Sequence, residues 1–156
     1  MKRLAILILL LSTAFAAAEA QNIATRERAP KIKPRYHRWL DDAAPRQTEY
    51  TYIEFVHSTS EPCIESCRKI RRYIDGTDRP FRVIFITCEK PAHIDSRLHE
   101  CAGEYVGTIV DEEGRIFDDF GVRYVPFGVL MDSKRRVLWF GNPITTDNDF
   151  FRKITE

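Results

Sequence analysis

An α/β fold built on a mixed central sheet is predicted by three observations. Residues 50–56 and 81–87 are apolar runs rich in β-branched and aromatic side chains, as buried parallel strands are. A segment with Ile64, Ile70 and Ile74 on helical spacing separates them, which is the pattern of a crossover unit. Residues 127–131 and 136–140 flank a short Asp132 turn and read as an antiparallel hairpin that closes the sheet.

The chain has 156 residues, 44% of them hydrophobic and 12% aromatic, which suits one domain with a real core. Lys2 and Arg3 precede an apolar run of 15 residues ending at Ala18, and Ala18-Glu19-Ala20 fits a small-x-small cleavage site. That run is shorter than the ~20 residues a spanning helix needs. Residues 1–20 are therefore expected to be a signal peptide, with no stable membrane anchor after cleavage and an extracytoplasmic location, periplasmic or secreted. Loss of Lys2, Arg3 and Glu19 balances the remaining charge, which gives no case for nucleic-acid binding. Residues 21–35 are basic, carry two prolines and read as a linker, so the domain is expected over residues 36–156.

Taken in order, the strand at 50–56 is interrupted only by Glu54 and breaks into a Ser/Thr/Pro loop that contains His57 and Ser60. A helix from about Ile64 to Gly76 follows, with Cys63 and Cys67 four residues apart on one face of its start. Amide dipoles at a helix N-terminus stabilise a thiolate, so this arrangement suits redox chemistry. Residues 91–102 place Ile94, Leu98 and Cys101 at helical spacing, and 105–110 is a third strand. Arg115 to Phe120 forms a short helix closed by Gly121, Val125 leads into Pro126, and Phe150, Phe151 and Ile154 mark a terminal helix.

This order resembles the thioredoxin-like fold, and is most similar to exported members related to the cytochrome-maturation and peroxiredoxin families. Those carry an extra helix and strand before the proline-led hairpin, here residues 91–110. The segment FGVRYVPFGVLMD resembles their cis-proline region, which implies that Pro126, with Val125 before it, shapes a substrate groove. EFVHSTSEPC resembles their strand and dithiol loop. It aligns Glu54 with the acidic strand position and Cys63 with the second cysteine, and leaves Ser60 where the attacking cysteine stands. A serine cannot form a disulfide, so either exchange is lost, leaving a binding module, or Cys67 takes over.

The expected activity is thiol–disulfide exchange with protein thiols or disulfides by Cys63 and Cys67, with Glu54 relaying a proton and with no cofactor. Side chains at i and i+4 in a regular helix keep Cβ atoms ~5–6 Å apart where a disulfide wants ~3.5–4.5 Å. The pair closes with little strain only if the helix begins after Cys63. The Cys-x-x-x-Cys spacing also resembles Sco-type copper chaperones. That alternative would bind copper through Cys63, Cys67 and a histidine, for which His57 is the nearest substitute because none lies beyond Pro126. Cys88 and Cys101, with twelve residues between them, are candidates for a structural disulfide; two separate thiols, or a zinc site with His93 and His99, are the alternatives.

Overall fold

The computed structural model describes residues 28–42 and 44–155. A six-stranded sheet runs in the order β1-β4-β3-β2-β5-β6. Its strands are β1 (Arg38–Trp39), β2 (Tyr50–Phe55), β3 (Arg82–Thr87), β4 (Val106–Val110), β5 (Phe127–Asp132) and β6 (Val137–Gly141). The central β2, β3 and β4 are parallel, whereas β1, β5 and β6 run antiparallel to their neighbours. The helices are α1 (Glu61–Gly76), α2 (Ser96–His99), α3 (Arg115–Phe120) and α4 (Asn148–Thr155). Among the described residues no helix is long and apolar enough to cross a membrane.

Alternation along the strands divides the core into two layers. Tyr52, Val83, Phe85 and Leu130 pack with Cys63, Cys67, Ile70 and Ile74 of α1, Leu98 and Cys101 around α2, and Phe151 of α4. Ile53, Phe55, Ile84, Ile86 and Val129 face the other way, against Ile116 and Phe120 of α3. Helix α1 is long enough to cover its side of the sheet, but the six-residue α3 covers only part of the other. The remainder is approached by the chain ahead of β1. Ala29 is buried, its amide donates to the Arg135 carbonyl at 2.8 Å, and Ile32 packs on the same layer.

The predicted strands, the crossover and the hairpin are present, and the Val125-Pro126 bond is cis. Several elements differ from expectation. Within the stretch expected as a basic linker, Ala29 is buried and Ile32 packs on the sheet. The helix expected over 91–102 is a 3-10 turn at Pro91–His93 followed by the single-turn α2, because the Asp95 carboxylate caps the Arg97 amide at 3.0 Å and restarts the chain there. The two-residue β1, paired to Val110 and Ile109, is too short to carry a periodic signal. The signal-peptide region lies outside the described residues.

Candidate active site

The register places the site. Phe55 at the end of β2 pairs with Phe127, the residue after cis Pro126, and with Ile86 near the end of β3. The loop after β2, Pro126 and the start of α1 therefore meet at one edge of the sheet. Buried Glu89 ties this edge together: it accepts from the Ser58 amide and hydroxyl at 2.7 Å each and from the Thr87 hydroxyl at 2.7 Å. The Ser58 hydroxyl in turn accepts from the Asp95 amide at 2.8 Å, linking the loop to the approach to α2.

Helix α1 begins at Glu61 with Pro62 in its first turn, so Cys63 lies inside the helix and not on the loop. Proline is favoured there because its missing N–H has no intrahelical partner to lose. This corrects the expectation of an unstrained Cys63–Cys67 closure: both residues are in regular helix, one turn apart, and both are free thiols with no exposed surface. Burial pushes the Cys63 thiol up, opposed by hydrogen bonds with the Ser60 side chain and the His57 backbone. Ser60, half-buried, thus sits over the first thiol.

The thiol that Cys67 meets is Cys101. Burial pushes Cys67 well up, and its hydrogen bond with Cys101 adds to this. The same hydrogen bond lowers Cys101, helped by the charges of Arg68 and Arg71. Arg71 also fixes the chain around Cys101, donating to the Ala102 carbonyl and, at 3.4 Å, to that of Cys101. The expected Cys88–Cys101 bridge is absent: Cys101 is buried against α1, while Cys88 is exposed one residue past β3. The alternation of β3 turns Cys88 to the face opposite α1.

Glu54 is fully buried under these thiols. Its Oε2 accepts from the Tyr52 hydroxyl at 2.8 Å, while its Oε1 has no partner in hydrogen-bond geometry. Burial pushes its pKa up to about 7, although the Ser66 and Tyr52 hydroxyls and the Lys69 charge favour the ionised form. Its charge acts on both Cys63 and Cys67. Gly128, opposite Glu54 in the ladder, leaves room for this arrangement, since a Cβ there would lie 2.5 Å from the Tyr52 hydroxyl.

The structure therefore brings Cys63, Cys67 and Glu54 together, sets buried Pro126 and half-buried Val125 at the same sheet edge, and adds Cys101. It does not assemble the alternative copper ligands. The His57 Nδ1 is 3.0 Å from the Thr59 hydroxyl and 3.5 Å from Glu89, and no group of three metal-ligating side chains occurs among the described residues, which also leaves the His93 and His99 zinc alternative without a site. Sequence reasoning missed Cys101 as the partner of Cys67 and Glu89 as the loop anchor. Tyr52 was missed as well, although the strand period, which sets it two residues from Glu54 on one face, could have found it.

No protein-family model and no curated protein matches the sequence. Solved structures do match. A secreted disulfide oxidoreductase of Mycobacterium tuberculosis shares 13% identity over 70% of this chain and 81% of its own, with a TM-score of 0.56. The exposed lipoprotein thioredoxin Etrx1 of Streptococcus pneumoniae shares 15% over 74% and 87%, with a TM-score of 0.53. A thiol peroxidase from Chromobacterium violaceum shares 20% over 69% and 71%, with a TM-score of 0.53. With its mixed sheet, flanking helices and cis Pro126, this chain has the thioredoxin-like fold.

Proposed function

We propose that the protein is a thiol–disulfide oxidoreductase acting on protein thiols or disulfides in an extracytoplasmic compartment. Cys63 and Cys67 are its working pair and Cys101 is the thiol to which the disulfide finally moves. The observation that carries this reading is the file of three buried thiols, with Cys67 between Cys63 and Cys101, above the buried Glu54 carboxyl, whose pKa burial pushes up to about 7.

In the reducing direction, the Cys63 thiolate attacks one sulfur of a substrate disulfide and expels the other as a thiolate, which takes up a proton. Cys67 then attacks Cys63 and releases the second substrate thiol. The resulting bond between i and i+4 positions of a helix is strained and readily opened. The Cys101 thiolate attacks the Cys67 sulfur, restoring Cys63 as a thiol and leaving Cys67–Cys101. Two electrons and two protons pass to the substrate. Glu54 takes the proton of Cys67 and delivers it to the departing thiolate, a role matched by a pKa near neutrality. Because Cys63 is buried, substrate entry requires the loop carrying Ser60 to part from it, beside Val125 and Pro126.

Oxidation of the reduced protein with glutathione disulfide, acid quenching and disulfide mapping test this mechanism. Cys67–Cys101 is the expected end product, and Cys63→Ser should slow its formation at least ~10-fold, because direct attack on Cys67 is hindered by burial. If Cys88 alone is modified while the other three remain thiols, Ser60 has ended exchange in this chain and the binding-module reading replaces this one.

A further inference from the structure

The structure assigns a second binding site, for a small organic carboxylate, to the cavity that begins at the opposite edge of the sheet from the thiols, around Arg82. The short α3 leaves the strand starts on its side of the sheet uncovered, and a cavity of about 360 Å³ remains there. Ile32, Ile53, Ile84 and Met131 supply its apolar lining, and Lys31, Arg82 and Arg135 bring positive charge to it.

Arg82 is the group that points to a ligand. It is only 5% exposed, and among the described residues its Nε is buried without a hydrogen-bond partner and it takes part in no ion pair. A buried guanidinium is ordinarily matched to a carboxylate or phosphate in the fork geometry its donors favour. The Trp39 ring, 6.0 Å from the guanidinium carbon, supports the flat face of the group, and among the described residues Nε is left without a partner. The other charges nearby do not supply the missing anion. Asp132 is engaged by Arg136 at 2.6 Å, and Arg135 donates to the Ala29 carbonyl at 2.7 Å, so the surplus at the cavity is positive. Thr48, whose hydroxyl accepts from the Arg82 backbone amide at 2.8 Å, and Thr51 also line the cavity.

An occupant must satisfy an N–H fork at one end and an apolar lining along the rest. Phosphate and sulfate meet the first condition only, and a neutral lipid or alcohol the second only. A monocarboxylate with a short hydrocarbon body meets both, and it fits a volume of this size. The site is on the sheet face opposite α1, so binding there is separable from thiol exchange.

Titration of the purified protein with hexanoate, 1-hexanol and inorganic phosphate, followed by heteronuclear NMR, tests the assignment. Hexanoate should shift amides of Thr51, Arg82 and Ile84, and Arg82→Met should weaken it at least tenfold. Gln47→Trp, which places a bulky ring at the exposed rim and leaves the core untouched, provides a second variant that should block entry if Arg82→Met does not fold. Oxidation of the thiols by glutathione disulfide should proceed in both folded variants at the unmodified rate. Equal binding of hexanol, tighter binding of phosphate, unchanged hexanoate affinity in the variants, or no binding by any probe would overturn the assignment.

Discussion

Glu54 carries the clearest pH signature in the molecule. Its folded pKa of about 7 stands above the ordinary value of 4.5, so between these values the folded state holds a proton that the unfolded chain has released. Stability from this group is fully present below pH 4.5, falls as pH rises towards 7, and is constant above. The span corresponds to on the order of 3 kcal/mol. Glu54→Gln should flatten that slope and make the protein more stable than the parent at pH 8, as read by urea denaturation at pH 5 and pH 8, while slowing exchange. A variant that keeps the full slope would place the titrating group elsewhere. Gly128→Ala should strike the Tyr52 hydroxyl that holds this carboxyl and destabilise by about 2 kcal/mol at any pH, also seen in urea. At the same scale the thiols divide by access: iodoacetamide should label Cys88 first, with Cys63, Cys67 and Cys101 protected until the loop opens.

The loop between β2 and α1 gains its order from one side chain reached across 31 residues. Glu89 holds the Ser58 amide and hydroxyl together with the Thr87 hydroxyl, all buried, and Glu89→Ala leaves these donors unmatched. A loss of about 3 kcal/mol is expected, together with faster labelling of Cys63 as the loop carrying Ser60 loosens. Unchanged labelling would show that the loop is held by other contacts. This element also shows where sequence reasoning stopped. Strands β2 to β6, the crossover and the Gly121 stop were legible because period and turn chemistry are local signals; Gly121 adopts the left-handed conformation, φ 68°, that ends α3. The start of α1 was misplaced past Cys63 although Pro62 is a first-turn residue. The pairing of Cys67 with Cys101 depends on how α2 docks on α1, which no local pattern encodes.

Across the whole molecule, one face of the sheet is assigned to exchange and the other to the Arg82 cavity, a division that follows from helix length. Glu54, Cys63 and Pro126 were readable as candidate site residues because strand, helix start and cis-proline segment occur in a familiar order. Arg82 was not, because an arginine at a strand start reads as solvated until the burial of its neighbours is known. Which thiols work is read most directly from the steady-state rate of reduction of a disulfide-bonded peptide, driven by dithiothreitol, for the parent, Cys63→Ser, Cys101→Ser and Cys88→Ser. A loss of about 100-fold or more is expected for Cys63→Ser, a marked loss for Cys101→Ser, and parental activity for Cys88→Ser. Full activity in Cys63→Ser, with loss in Cys88→Ser, would show that exchange runs through Cys88 and not through the buried thiols.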